Sequence, residues 1–322
     1  MSKKVFIKSL KVILPLVLGV FFVYYSYTSA TPQERTILWQ NIIKVNPIWI
    51  ALSMLFGVLA HLSRAYRWKF LLRPMGYEIK LYNSFMAIMA GYLCNLGIPR
   101  SGEVLRGATI SSYEKIPFQK AFGTIVSERV ADLVMLLLVV STTLLLKYDL
   151  LLFFFETNHI NPFWSIFILM FLIFIGFWFL KFIKNSSNVK LGKLKGFVVG
   201  ILEGMVSIFN MKKSYIFILH TVFIWIMYVA MFWIIKFAVA GTVNLGFSYI
   251  LIAFVVGSFT ISLTNSGVGV YPVAIGAVLL IFNISKQDGE AFGWLVWGTQ
   301  IILNIVLGLL SFLFLPILNK TK

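Results

Sequence analysis

The sequence predicts an all-α polytopic membrane protein, with six spanning helices plus two re-entrant hairpins arranged as an inverted-topology repeat. Three observations predict it. Of the 322 residues, 60% are hydrophobic and 12% charged, with a mean hydropathy of +0.91, whereas a soluble domain carries about a quarter charged residues. Lysine and arginine alternate strongly between the loops that separate the apolar runs. Two apolar segments that this alternation leaves without a crossing resemble each other about half a chain apart.

In chain order, spans are expected near residues 12–28, 47–66, 122–146, 162–181, 214–236 and 291–317. Each supplies, with its flanks, the roughly 20 residues that a helix needs to cross the hydrocarbon core. The first follows Lys3, Lys4, Lys8 and Lys11 and resembles a signal peptide with a small-residue site at 28–30. It is long for such a segment, so an uncleaved anchor is expected. The loops at 1–11, 64–129, 181–213 and 317–322 hold 23 of the 28 basic residues. That excess places them, and both termini, on the cytoplasmic side of the cytoplasmic membrane. Trp49, Trp164, Trp233 and Trp294 then fall near outer ends, and Trp68 and Trp178 near inner ends.

The leftover segments are 81–98, which must begin and end inside, and 248–283, which must begin and end outside. Both are interrupted by glycine. Non-helical backbone survives at membrane depth only when buried in protein or lining a wet cavity. "AGYLCNLGIPRSGEV" (90–104) aligns with "VGSFTISLTNSGVGV" (256–270), pairing Gly91 with Gly257 at an offset of 166 and Gly102 with Gly267 at 165. The whole chain, 1–322, is therefore expected as one integral membrane domain with repeat halves of about 1–150 and 160–322. Between them, Lys190, Lys193 and Lys195 precede Phe197, Val198, Ile201, Leu202, Met205 and Ile208 at helical spacing. That pattern predicts an amphipathic helix on the cytoplasmic leaflet over about 193–210.

Composition also excludes several functions. The net charge of +17 resides in loops between apolar runs, so nucleic acid is not the expected partner. One cysteine, Cys94, precludes an internal disulfide, and three scattered histidines offer no zinc pattern. No metal, cofactor or catalytic residue is expected, and the chain is not expected to be an enzyme.

The candidate site residues are ionisable groups set against membrane segments. "HLSRAYRWKFLLR" places Arg64, Arg67 and Arg73 at the inner end of the second span. "NLGIPRSGEVLRG" supplies Arg100, Gly102 at a tight turn, and Glu103 one helical turn before Arg106. "SERVAD" puts Glu128 and Asp132 on one helix face with Arg129 alongside. Ionisable groups at membrane depth cost ~2.5–3.5 kcal/mol each and normally face protein or a water-filled path. The alternative is that the arginines reach phospholipid headgroups as topology signals. The second hairpin, "LTNSGVGVYP", offers Asn265, Ser266 and the backbone amides of Gly267 and Gly269, suited either to an anion or to close helix packing. Gln300 and Asn304 form a polar i, i+4 pair expected to hydrogen-bond between helices.

"HLSRAYRWKFLL", "IPRSGEVLRG", "SERVADLV" and "NSGVGVYP…AFGWLVWGTQ", in that order, resemble the transmembrane region of lysylphosphatidylglycerol synthases, a group of flippase-like integral membrane proteins. The resemblance covers nearly the whole chain. It implies the lipid-translocating half of such a synthase and gives no ground for the soluble aminoacyl-transferase activity. The family pattern maps onto Pro99, Arg100, Gly102, Glu103 and Arg106, and onto Glu128, Arg129 and Asp132. The second hairpin departs from it: Asn265, Ser266 and Gly267 replace Pro-Gly-Gly, and Pro272 stands where an acidic residue is usual.

The expected function is translocation of a lipid or lipid-linked anionic molecule across the membrane. Arginines would attract the phosphate, and Glu103 and Asp132 would hold the arginines or recognise an amine. The alternative is a non-transporting membrane partner of a separately encoded lipid-modifying or glycosyl-transferring enzyme.

Overall fold

Thr31 starts the first described helix. Its hydroxyl accepts from the Glu34 backbone N–H while the Glu34 carboxylate accepts from the Thr31 N–H, with Pro32 at the first helical position. This helix, α1 (Pro32–Ile43), occupies what the sequence reads as a simple outer loop. The Thr-Pro-x-Glu start was the available signal.

The structure is a computed structural model describing residues 30–149, 213–264 and 266–320, with Val20, Phe21, Tyr24, Tyr25, Tyr27, Thr28 and Trp178. Most of the expected span at 12–28, nearly all of that at 162–181, the amphipathic helix at 193–210 and Asn265 lie outside the described residues. After α1 come α2 (Pro47–Leu72), α3 (Leu81–Gly97), α4 (Gly102–Glu114), α5 (Phe118–Leu146), α6 (Ser214–Ile234), α7 (Phe247–Leu263), α8 (Val270–Leu280) and α9 (Lys286–Leu318). Among the described residues every regular element is helical. The stretches Pro47–Met75, Phe118–Leu146, Ser214–Ala238 and Lys286–Leu318 are long and apolar enough to cross a membrane. The outer faces of α6 and α9 expose Leu219, Ile226, Ile302, Leu309 and Leu313. So broad an apolar surface belongs in lipid, and the chain is a multi-pass membrane protein.

The described residues fall into two compact units, one drawn from Met1–Phe122 and Tyr215–Lys322, the other from Gly123–Ser214. In the first unit, hydrogen bonds sort the helix ends into two groups. Ser84 on α3 donates to the Ala65 carbonyl of α2, and Asn83 pairs with Asn319 just past α9. The Glu114 carboxylate at the end of α4 accepts from Asn83 and from the Lys80 backbone N–H. Thus α3 leaves one end of the unit and α4 returns to it. At 17 residues, α3 rises only ~25 Å.

The second pair behaves alike from the other end. Tyr249, early in α7, stacks at 4.5 Å on Phe282, just past α8. Trp233 of α6 meets Phe247 at 5.3 Å. Gln287 and Asp288 at the start of α9 receive α1 through Glu34 and Asn41. Helix α7 is also 17 residues long. Between the two ends lies the core, with Ile88 and Met89 of α3, Ile224 of α6, Ile275 of α8 and Phe292 of α9 fully buried. Between helices that lie in lipid, such packing is stabilised by van der Waals contact rather than by withdrawal from water.

Candidate functional site

Helix α2 carries the site because its sequence repeats polar groups at helical spacing. His61, Arg64, Arg67 and Trp68 fall three or four residues apart and so share one face. All four are buried, Arg64 at 3% exposure and Arg67 and Trp68 at 0%. These arginines are not reaching into the headgroups. Arg73, by contrast, is exposed, 3.7 Å from the carboxylate of Glu78.

Partners from α6 hold Arg67. Its Nη1 donates to Thr221 Oγ1 at 2.8 Å, and that hydroxyl donates in turn to the Phe217 carbonyl at 2.8 Å. The guanidinium carbon lies 5.0 Å from the Phe217 ring centroid. One turn back, Ser63 Oγ lies 2.8 Å from His220 Nδ1. His61 packs between Tyr92 of α3 and Tyr228 of α6, at 5.1 and 6.3 Å.

Arg106 arrives from the first hairpin. Its guanidinium carbon stands 3.7 Å from the Trp68 ring centroid, and the residue is 5% exposed. A cation over an indole face is favourable by ~2 kcal/mol or more when both are withdrawn from water. What brings α4 so near α3 is a pair of glycines. A Cβ on Gly91 would fall 2.8 Å from the Gly102 carbonyl oxygen, and one on Gly102 would strike the Gly91 oxygen and lie 2.7 Å from Asn95 Nδ2. Asn95 Oδ1 also accepts the Gly102 N–H at 2.7 Å. Gly102 is therefore needed for close approach, and it is not among the residues with positive φ. Arg100 is the residue in the left-handed region, at φ 61°.

Arg100 is exposed, so the structure does not bring it to Arg64, Arg67 and Arg106. Glu103 occupies the first turn of α4, with its Oε2 buried. Trp68, read from the sequence as an inner-end belt residue, is a fully buried ring instead.

The second hairpin meets the first at its tip. Ser266 Oγ donates to the Asn95 carbonyl at 3.3 Å, and Trp297 Nε1 of α9 donates to the Ser266 carbonyl at 2.9 Å. Gly267 and Gly269 have φ of 75° and 71°, which glycine adopts without strain, and Ser266 beside them is also left-handed at φ 56°. The Gly267 N–H, one of the expected anion donors, is committed to Thr264 Oγ1 at 3.0 Å. A Cβ at Gly267 would lie 3.1 Å from that of Tyr271, so close packing explains this glycine. Of the polar pair on α9, Asn304 has a buried Oδ1 with no hydrogen-bond partner among the described residues.

Glu128, Arg129 and Asp132 lie on α5 in the second unit, with Arg129 Nη1 3.8 Å from Asp132 Oδ2. No group of three His, Cys, Asp or Glu that could hold a metal ion occurs among the described residues. Sequence reasoning did not single out Thr221, Phe217, His220 or Asn95. Only a tertiary contact marks an isolated threonine, phenylalanine or asparagine in an apolar helix.

The sequence model described as "Lysylphosphatidylglycerol synthase TM region" matches residues 12–308. A stretch of 99 residues is 32% identical to the UPF0104 membrane protein MJ1595 of Methanocaldococcus jannaschii. That stretch covers 30% of this chain and 30% of the archaeal protein. No solved structure matches the chain.

Proposed function

Because this chain belongs to the lysylphosphatidylglycerol synthase transmembrane-region family, we propose that it translocates a lipid or lipid-linked anionic molecule across the cytoplasmic membrane. The observation that supports this most is the burial of Arg64, Arg67 and Arg106 within a bundle of apolar helices. Burying a guanidinium at membrane depth disfavours insertion by ~2.5–3.5 kcal/mol even on lenient scales. A fold that retains three has a use for positive charge there. Arginine's planar fork binds phosphate through two parallel hydrogen bonds.

The helix geometry supports the same reading. In our reading α3–α4 enters from the cytoplasmic face and α7–α8 from the outer face, as an inverted-topology pair of re-entrant hairpins. Their tips touch at Ser266 and Asn95, and opposed broken helices of this kind build midplane binding sites in transporters. An anionic headgroup would be drawn by the arginines while its acyl chains stay in lipid. The sequence holds no nucleotide-binding loop, so the driving force would be an ion gradient or a lipid gradient. Both termini would face the cytoplasm.

Reconstitution into liposomes with fluorescent phosphatidylglycerol, followed by bleaching from outside, tests the proposal. The expected result is protein-dependent bleaching beyond the outer-leaflet half, lost in the double variant Arg67→Ala/Arg106→Ala. Bleaching that stops at the outer leaflet with folded wild-type protein would overturn it, leaving a non-transporting partner of a lipid-modifying enzyme.

A further inference from the structure

We propose that His61 and Trp225 form a hydrogen-bonding subsite on the seam between α2 and α6, taking the hydroxyl groups of a polyol or sugar headgroup. Two facing stripes build the seam. His61, Arg64 and Trp68 share one face of α2, and Thr221, Trp225 and Tyr228 share one face of α6. The helices run antiparallel, since Ser53 Oγ donates to the Met231 carbonyl at one end and Arg67 Nη1 to Thr221 Oγ1 at the other. His61 and Trp225 both lie against Tyr228, with ring centroids 6.3 and 6.4 Å from its own.

The neighbouring polar side chains have partners within the protein: Ser53, Ser63, Arg67 and Thr221 are all hydrogen-bonded. His61 and Trp225 differ. They are 8% and 9% exposed, yet His61 Nδ1 and Trp225 Nε1 are buried with no hydrogen-bond partner among the described residues. Packing alone does not account for them. A phenylalanine would fill the space between Tyr92 and Tyr228, or beside Phe254, without burying an unmet polar atom. Two such atoms against one tyrosine ring point to a ligand that completes them.

The donors and acceptors on offer select its chemistry. An indole N–H only donates, whereas an imidazole nitrogen donates or accepts according to its tautomer. A hydroxyl does both, so it satisfies the indole and either tautomer. An ammonium cannot accept from Trp225, and it would set a second cation one helical turn from Arg64. A phosphate is better served by the planar forks of the guanidiniums further along the seam. The inference deepens the translocation reading by naming the headgroup class, and it rests on that reading in placing the phosphate at the arginines. Arg67 lies ~9 Å along α2 from His61, a span that a phosphate and its attached glycerol or sugar can bridge.

Calorimetric titration of the purified protein in detergent tests the subsite without requiring transport. It compares dihexanoyl phosphatidylglycerol with dihexanoyl phosphatidylpropanol, which carries the same charge and no headgroup hydroxyl. The wild type should bind the glycerol lipid about tenfold more tightly, the scale of one hydrogen bond to a buried group otherwise left unmet. His61→Phe and Trp225→Phe should each cut that preference several-fold, and His61→Asn, which keeps a donor or acceptor near the place of Nδ1, should retain it. Equal binding of the two lipids by the wild type, binding of neither, or an unchanged preference in folded His61→Phe or Trp225→Phe overturns the subsite. Leaflet exchange of phosphatidylglycerol by a wild type lacking the preference would sink this subsite alone, and preference without exchange would sink only the translocation reading.

Discussion

The guanidinium carbon of Arg106 stands 3.7 Å from the centroid of the Trp68 ring, joining the first hairpin to the buried face of α2. A lysine would preserve the charge but not the planar stack or the bidentate fork. Arg106→Lys should therefore lower leaflet exchange of an anionic lipid by about tenfold, with yield unchanged. Equal exchange rates for variant and wild type in the liposome assay would remove Arg106 from the site.

The approach of Gly102 to Gly91 gives a contrast within one hairpin. Gly102→Ala forces a methyl into the Gly91 carbonyl and should destabilise by about 1–3 kcal/mol, as overpacking does. Gly97→Ala should be neutral, because nothing lies within 4 Å of the added carbon. Thermal unfolding in detergent compares the two, and a Gly102→Ala midpoint equal to that of Gly97→Ala would contradict the close packing.

Thr221 accepts a hydrogen bond from Arg67 Nη1 and donates its own to the Phe217 carbonyl. Thr221→Val keeps the shape but removes that acceptor from a buried guanidinium, at about 1–3 kcal/mol. Thr221→Ser should restore most of the loss. Denaturant titration of the three proteins measures it; a valine variant as stable as the serine variant would mean the bond is not needed.

The docking of α1 should depend on pH through Glu34. Its backbone bond to Thr31, first, and then the Thr31 hydroxyl hold the carboxyl below its ordinary value; desolvation opposes them, and Gln287 and Lys286 add smaller downward effects. A lowered folded-state pKa means the contribution is present above the unfolded value near 4.5 and is lost as pH falls through the folded one. Amide protection across α1, corrected for intrinsic exchange, should drop in that acidic window and lose its pH dependence in Glu34→Ala. Protection independent of pH in the wild type would show that the Glu34 contacts do not anchor the helix.

The sequence by itself determined the class of fold, because apolar length and basic-residue bias act through the bilayer, a solvent that reads composition along the chain. It also indicated that 248–283 breaks in the middle and that 81–98 ends at Gly97–Pro99, since glycine and proline end helices locally. The chemistry of Arg64, Arg67 and Arg106 was legible as a cluster of charges beside apolar sequence. Only the tertiary structure decided which charges go inside. Arg67 is buried because Thr221 and Phe217 reach it from a helix about 150 residues away, while Arg100, closer in sequence to Arg106, turns outward at a left-handed φ. Gly102 shows the same division: its place at the turn is a local property, but its necessity comes from Gly91 across the hairpin.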